Sequence, residues 1–92
     1  MPIRWTPPAA RDLTQIADYI QEKDGPAPAR RVALAIHEAV SRLSRFPQLG
    51  RPGKKAGTRE LVIASLPYLA VYRVHENVVE LLRILHGAQR WP

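Results

Sequence analysis

The chain has 92 residues, 46% of them hydrophobic, a net charge of +6 and no cysteine. This length suits one domain with a single core, residues 1–92, and the apolar share argues against global disorder. The lack of cysteine excludes disulfides, thiol nucleophiles and thiolate metal sites. Neither a membrane-length apolar segment nor a signal-peptide pattern is present, so we expect a cytoplasmic protein that binds no membrane.

The positive charge is concentrated in one stretch of the chain. No acidic residue lies between Glu38 and Glu60. Six cations fall in that interval: Arg42, Arg45, Arg51, Lys54, Lys55 and Arg59. One end of the molecule should therefore be basic and attract an anionic partner, such as nucleic acid or an acidic protein. The alternative is a solvated basic loop that only promotes solubility.

A short strand and a helical hairpin are predicted first. Residues 2–5 alternate as a strand, Thr6 is suited to cap a helix, and Pro7 fits its first turn. Apolar residues at helical spacing run from 9 to 20 and again from 29 to 43. The short break between them predicts two antiparallel helices.

The rest of the chain predicts a loop followed by three strands. Residues 47–57 are rich in proline and glycine and carry cations, which indicates a mobile basic loop. Strands are predicted at 59–64, 68–74 and 78–85, and their short connections favour an antiparallel meander. The expected class is α+β, with the helical hairpin packed on a small, mainly antiparallel sheet in the order β-α-α-β-β-β.

The last predicted strand is apolar on both faces. Counting by twos places Val79, Leu81 and Leu85 with Arg83 on one face, and Val78, Leu82 and Ile84 with Glu80 and His86 on the other. One helical hairpin covers only one face, and burying the second set would recover about 1.5–3 kcal/mol per large side chain. We therefore expect a partner to cover the second face. The alternative is a strongly curved strand covered by loops and the chain terminus.

Motifs for metal, hydrolase and cofactor chemistry are lacking. His37, His75 and His86 have neither the spacing nor the neighbouring carboxylates of a metal site, so we predict no metal and no cofactor. No G-x-S-x-G pattern or phosphate-binding glycine loop occurs. Strands also occupy the place where a DNA-reading helix-turn-helix would need its recognition helix.

Metal-free RNA cleavage needs only a proton acceptor, a proton donor and cations around the phosphate. The candidates for this chemistry are Arg59, Arg83, His86 and Arg90, with Lys54 and Lys55 for phosphate contact. Each candidate also has a structural interpretation. Arg59 would be a strand-end charge, Arg83 would pair with Glu80 or Glu60, and His86 would cap the sheet.

Several segments, taken in order, resemble the ParE branch of the RelE/ParE superfamily of bacterial type II toxins. They are Ala9-Ala10-Arg11-Asp12-Leu13 with Ile16 and Tyr19-Ile20, Phe46-Pro47 with Gly50-Arg51-Pro52, Arg59-Glu60-Leu61, Tyr72-Arg73-Val74, and the run from Val79 to His86. The resemblance implies a toxin that is neutralised by a cognate antitoxin. It also implies inhibition of DNA gyrase, for which Arg51, Lys54, Lys55 and Arg59 are the candidate contacts.

A RelE-like, ribosome-dependent mRNA endonuclease is the alternative, and a toxin that has lost its activity is a third possibility. Two departures disfavour the nuclease. Ala64-Ser65 stand where RelE-type enzymes usually have a basic residue, and only Arg90 remains beyond the last strand. The antitoxin should lay an apolar segment across the sheet or across the groove beside the helical hairpin, and the candidate contacts are Leu69, Val71, Tyr72, Leu82 and Ile84. Its anionic residues should meet the basic stretch.

Overall fold

The structure is a computed structural model and describes residues 1–87, 89 and 91. This part of the chain contains two helices and five strands. The helices are α1 (Pro7–Asp24) and α2 (Pro26–Ser41), and α2 continues into a short 3-10 helix (Arg42–Ser44). The strands are β1 (Ile3–Trp5), β2 (Arg51–Pro52), β3 (Arg59–Val62), β4 (Tyr68–His75) and β5 (Val78–His86). The expected α+β class with a helical hairpin on the sheet is confirmed. Strand β2, within the predicted loop, is an addition.

The strands form one sheet in the order β1-β5-β4-β3-β2. Strand β1 runs parallel to β5, and every other pair is antiparallel, as the short connections predict. Glu76 and Asn77 join β4 to β5 and have φ angles of 51° and 62°. Two successive residues with positive φ form the tight turn whose twist matches that of a hairpin.

The residues at the start of α1 and between the two helices determine where the helical hairpin begins and turns. Thr6 caps α1, because its side-chain oxygen accepts a hydrogen bond from the Ala9 N–H at 3.5 Å. Gly25 is the single residue between the helices and has φ of 94°, a value that side chains with a Cβ rarely adopt. The chain therefore reverses there, and α2 begins at the next residue.

The core lies between the hairpin and one face of the sheet. Ala9, Ile36, Val40 and Leu43 of the helical part pack with sheet residues that share this face: Leu61, Ile63, Ala70, Tyr72, Val79, Leu81 and Ile84. Neither helix in the described part of the chain combines the length and apolarity of a membrane span.

A β-bulge changes the side-chain alternation of β5, and the count by twos is wrong beyond it. Val71 pairs with Arg83, whereas the next residue, Tyr72, pairs with Leu81, so Leu82 is the extra residue. Leu81 and Ile84 consequently both enter the core.

The second face of the sheet is also largely covered, contrary to the expectation that only a partner would cover it. The neighbours of Val71, Ala70 and Tyr72, point into the core under the helices, so Val71 points to the second face. Val71 and Leu85 are nevertheless buried. Residues 55–58 and Trp91 line one cavity with Leu82. Loop and terminal residues therefore lie near Leu82.

Candidate functional site

Asp12 and Arg83 connect α1 to β5. The Arg83 Nε donates to Asp12 Oδ2 at 2.6 Å and its Nη2 donates to Oδ1 at 3.0 Å. Asp12 Oδ2 also accepts the Ile84 N–H at 2.9 Å. The hydrogen bonds to Asp12 raise the pKa of the Arg83 guanidinium above its usual value. Arg83 is therefore held in a structural contact.

The two acids expected to pair with Arg83 have other partners. Glu80 accepts from Arg73 Nε at 2.7 Å and lies 3.4 Å from Arg4. Glu60 accepts from Arg51 Nε at 3.1 Å. The expected pairing of Arg83 with Glu80 or Glu60 is therefore wrong. Asp12 was missed because its distance along the chain from Arg83 gave no signal of the contact.

Arg59 and Tyr72 hold the segment that follows α2. Arg59 Nη1 donates to the Gly50 carbonyl at 2.8 Å. The Tyr72 hydroxyl donates to the Pro47 carbonyl at 2.7 Å and accepts the Gly50 N–H at 2.9 Å. Burial raises the pKa of the Tyr72 phenol, which keeps it protonated as a donor. A Cβ at Gly50 would lie 2.8 Å from the Tyr72 ring, so a glycine is required by close approach.

The candidate cleavage residues are only partly brought together. His86 ends β5, with its ring edge-on to that of Tyr68 at 5.9 Å between centroids. His86 and Arg83 line a cavity of about 450 Å³ together with Asp12 and Tyr19. Arg59 lies two strands away on β3, and Arg90 is outside the described residues. Among the three candidates that the structure describes, Arg83 and His86 are therefore the two brought to one cavity.

The candidate target-binding residues of the basic loop differ in their surroundings. Lys54 and Lys55 are exposed, and neither has an ion-pair partner among the described residues. Arg51 pairs with Glu60 at 3.1 Å, and Arg59 faces the Gly50 carbonyl. The two lysines are consequently the cations of this loop that remain open to a partner.

A basic cavity of about 590 Å³ lies beside this loop and was missed by sequence reasoning. Its lining combines cationic and apolar side chains: Lys55, Arg73, His75, Arg83, Leu82 and Trp91. Arg73 and His75 alternate on β4, and this spacing was the available signal. The spacing alone could not show that Lys55 and Trp91 approach the same place.

The five residues expected to contact the antitoxin differ in how deeply they are buried. Tyr72 and Ile84 lie in the core, and Val71 is fully buried on the second face. These three side chains are therefore not exposed in the folded chain, and their assignment to the antitoxin contact stays a prediction. Leu69 and Leu82 are half-buried, and their assignment stays a prediction. Among residues 1–87, 89 and 91, no cluster of three potential metal ligands occurs.

The fold, a helical hairpin on a five-stranded sheet, is that of small bacterial toxins. The family model described as "ParE toxin of type II toxin-antitoxin system, parDE" matches residues 3–91. The chain belongs to this ParE toxin family and is a toxin of the ParE/RelE superfamily.

Two relatives that match nearly the whole chain are named as toxins. The chain is 48% identical to "Putative toxin Y4kP" of Sinorhizobium fredii, over 98% of this chain and 92% of the relative. It is 40% identical to "Toxin RelE2" of Caulobacter vibrioides, over 92% and 93% of the two chains.

Two solved structures show the same fold. One, from the chromosomal ParDE system of P. aeruginosa, has a TM-score of 0.86 and 33% identity, over 94% of this chain and 95% of that one. The other, from the RelBE2 toxin–antitoxin complex of Mycobacterium tuberculosis, has a TM-score of 0.67 and 26% identity, over 92% and 95%.

Proposed function

We propose that this toxin acts by binding DNA gyrase in the cytoplasm and that a cognate antitoxin neutralises it. The ParE family membership supports the target, and the structural neighbours, which come from toxin–antitoxin systems, support the antitoxin. The observation that carries the proposal is that both candidate cleavage arginines are already bonded to other groups of the chain. Arg83 is held by Asp12 and Arg59 by the Gly50 carbonyl, two strands apart. These intramolecular contacts disfavour a role for the two arginines around one scissile phosphate.

Lys54 and Lys55 are the proposed contacts with an anionic surface of the target. They are exposed, they lack intramolecular ion-pair partners in the described part of the chain, and the net charge of +6 favours anionic partners. Association should therefore be steered electrostatically and weaken as salt increases.

Gyrase supercoiling with purified toxin tests this proposal. The toxin should block supercoiling, and replacing both Lys54 and Lys55 by Glu should weaken inhibition about tenfold or more, as expected when charge complementarity is reversed. Lys23→Glu, an exposed lysine on α1, is the matched control and should inhibit like the wild type. Unimpaired supercoiling at saturating wild-type toxin would contradict the proposal.

An mRNA endonuclease is the second candidate, because Arg83 and His86 share one cavity and a relative is named RelE2. His86→Ala is the suitable variant, since Arg83 variants would also lose the contact with Asp12. Transcripts cleaved on translating ribosomes by the wild type but not by His86→Ala would favour the nuclease. Intact transcripts during growth arrest would exclude it.

A further inference from the structure

The basic cavity beside the loop of Lys55 collects cations from three separate segments of the chain. Lys55 comes from the loop between β2 and β3, Arg73 and His75 come from β4, and Arg83 comes from β5. None of the described residues that line the cavity is acidic. Its volume of about 590 Å³ falls within the range of about 300–1,000 Å³ that is usual for ligand pockets. The cavity therefore has the charge and the size to hold an anionic group.

Arg73 is oriented by an acid that lies outside the cavity lining. Its Nε donates to Glu80 Oε1 at 2.7 Å, while its side chain stays 49% exposed. A guanidinium carries further N–H donors beyond Nε, so Arg73 keeps donors for a ligand. Glu80 also lies 3.4 Å from Arg4, so one acid serves two arginines and a net positive charge remains. A fixed guanidinium of this kind suits a phosphate, whose oxygens accept paired N–H donors.

A tight turn holds Lys55 beside the cavity. The Lys55 carbonyl accepts the Thr58 N–H at 3.1 Å and the Thr58 hydroxyl at 2.5 Å. Gly57 has φ of 81°, the positive value that glycine supplies at the third position of such a turn. The Gly53 N–H donates to the Thr58 carbonyl at 2.8 Å and closes the loop. The backbone of Lys55 is therefore fixed, and its exposed side chain has no ion-pair partner in the part of the chain that the structure describes.

Apolar side chains form another part of the cavity lining. Trp91 supplies an indole ring, and Leu82 and Val74 supply aliphatic groups. Every nucleobase has a flat face that stacks on an aromatic ring, and proteins hold single-stranded nucleic acid by combining such rings with cations. The bases of duplex DNA are already stacked on one another and would not reach the indole. An acidic peptide would use the cations but has no planar base to place on Trp91.

We propose that the basic cavity binds one nucleotide of a single-stranded DNA segment, with its phosphate on Lys55 and Arg73 and its base against Trp91. The inference rests on the proposed function and deepens it, because the anionic surface that the toxin meets is then DNA held by gyrase. The strand is DNA rather than RNA because DNA is the nucleic acid on which the proposed target acts.

Fluorescence anisotropy with the purified toxin and a labelled oligodeoxythymidylate of about ten nucleotides tests the base contact. The single strand should bind more tightly than its duplex with oligodeoxyadenylate, since the paired bases cannot reach Trp91. Trp91→Ala should weaken binding of the single strand about fivefold or more, the usual effect of removing a stacking ring. Trp91→Phe, which keeps an aromatic ring, should recover most of the lost affinity.

The salt dependence of the same affinity tests the phosphate contact. Lys55→Gln removes one cation and should both weaken binding and lower the slope of log affinity against log salt by about 0.7. Lys23→Gln, an exposed lysine of α1 outside the cavity lining, is the matched control and should keep the wild-type affinity and slope. Circular dichroism checks folding, and because Lys55 is exposed, Lys55→Gln decides alone if Trp91→Ala does not fold.

The outcomes separate this inference from the proposed function. Equal binding of single strand and duplex, unchanged in Trp91→Ala and Lys55→Gln, would overturn the nucleotide site and leave the gyrase proposal standing if the toxin still blocks supercoiling. Tighter binding of oligouridylate would identify RNA as the ligand, and displacement of the strand by polyglutamate would identify an acidic protein; either result would overturn the DNA assignment. If the toxin binds the single strand through Trp91 but leaves supercoiling unimpaired, the nucleotide site stands and the gyrase proposal fails.

Discussion

The carboxylate of Asp12 and the guanidinium of Arg83 meet through two hydrogen bonds of 2.6 and 3.0 Å, although the residues are 71 positions apart. Strand β1 ends at Trp5, which is paired with Leu81, so β5 has no strand partner on that side at Ile84. Asp12 accepts the Ile84 N–H there. One side chain of α1 thus satisfies the strand edge and fixes the arginine beside it.

Asp12→Asn should destabilise the toxin by about 2–3 kcal/mol. The expected loss is below the ~3–5 kcal/mol of a fully buried pair, because the Arg83 side chain is 35% exposed. Chemical denaturation measures the free energy of unfolding. Asp18→Asn, at an exposed position on the same helix, is the control and should have little effect. Equal stability of Asp12→Asn and wild type would show that the ion pair contributes nothing net.

Tyr72→Phe should loosen the segment after α2. It removes the donor to the Pro47 carbonyl and leaves the Gly50 N–H without its acceptor, at a cost of about 1–3 kcal/mol. Amide hydrogen exchange at Gly50 should become faster than in the wild type. Tyr68→Phe is the control, since the Tyr68 hydroxyl has no hydrogen-bond partner among the described residues. Unchanged exchange at Gly50 in Tyr72→Phe would contradict the assigned anchor.

Glu80→Gln should reduce the dependence of stability on acidic pH. The hydrogen bond from Arg73, with the charges of Arg73, Arg4 and His75, lowers the pKa of Glu80 in the folded state. This contribution is therefore fully present above the unfolded pKa of about 4.3 and is lost as pH falls through the lower folded pKa.

Thermal melting between about pH 6 and pH 3 checks the Glu80 prediction. The wild type should lose more stability across that range than Glu80→Gln. The matched variant is Glu76→Gln, whose exposed carboxylate lies 3.7 Å from His75. If Glu80→Gln follows the wild-type profile throughout, the Glu80 carboxylate is not the titrating group.

Thr6→Val should destabilise α1 by about 1 kcal/mol or somewhat more. The variant loses the cap of the Ala9 N–H and the hydrogen bond that the Thr6 hydroxyl donates to the Leu81 carbonyl at 2.6 Å. Thr14→Val, exposed on α1, is a control of the same chemistry. The two variants should differ clearly in unfolding midpoint, and similar midpoints would show that the cap is unimportant.

Local patterns were sufficient for most of the secondary structure. The Thr6-Pro7 start of α1, the short break between the two helices and the three strands of the meander were predicted with small differences at their ends. Strand β2 was missed because it has two residues, too few for any periodicity. Its pairing depends on Tyr72 and Arg59, which draw Gly50 against the sheet.

The candidate site was predicted less completely, because the sequence did not show which groups its side chains bond to. Sequence patterns correctly singled out the basic loop as a charged segment, and Lys54 and Lys55 are indeed exposed. The same patterns left Arg59 and Arg83 open between cleavage residues and structural charges, and named the wrong acids as partners of Arg83. Their partners, the Gly50 carbonyl and Asp12, are contacts between distant segments that no local pattern records.

Composition, charge and the spacing of apolar residues were enough to predict an α+β domain with a basic stretch, since these properties depend on local preferences and on the summed charge. The assignment as a toxin came from the family resemblance. Tertiary structure alone decided which apolar residues stay accessible. The bulge at Leu82 alters the alternation of β5, so Ile84 enters the core. The early end of β2 leaves the β3 edge open at Val62. Both depend on the register between strands, which is determined by packing across the whole sheet.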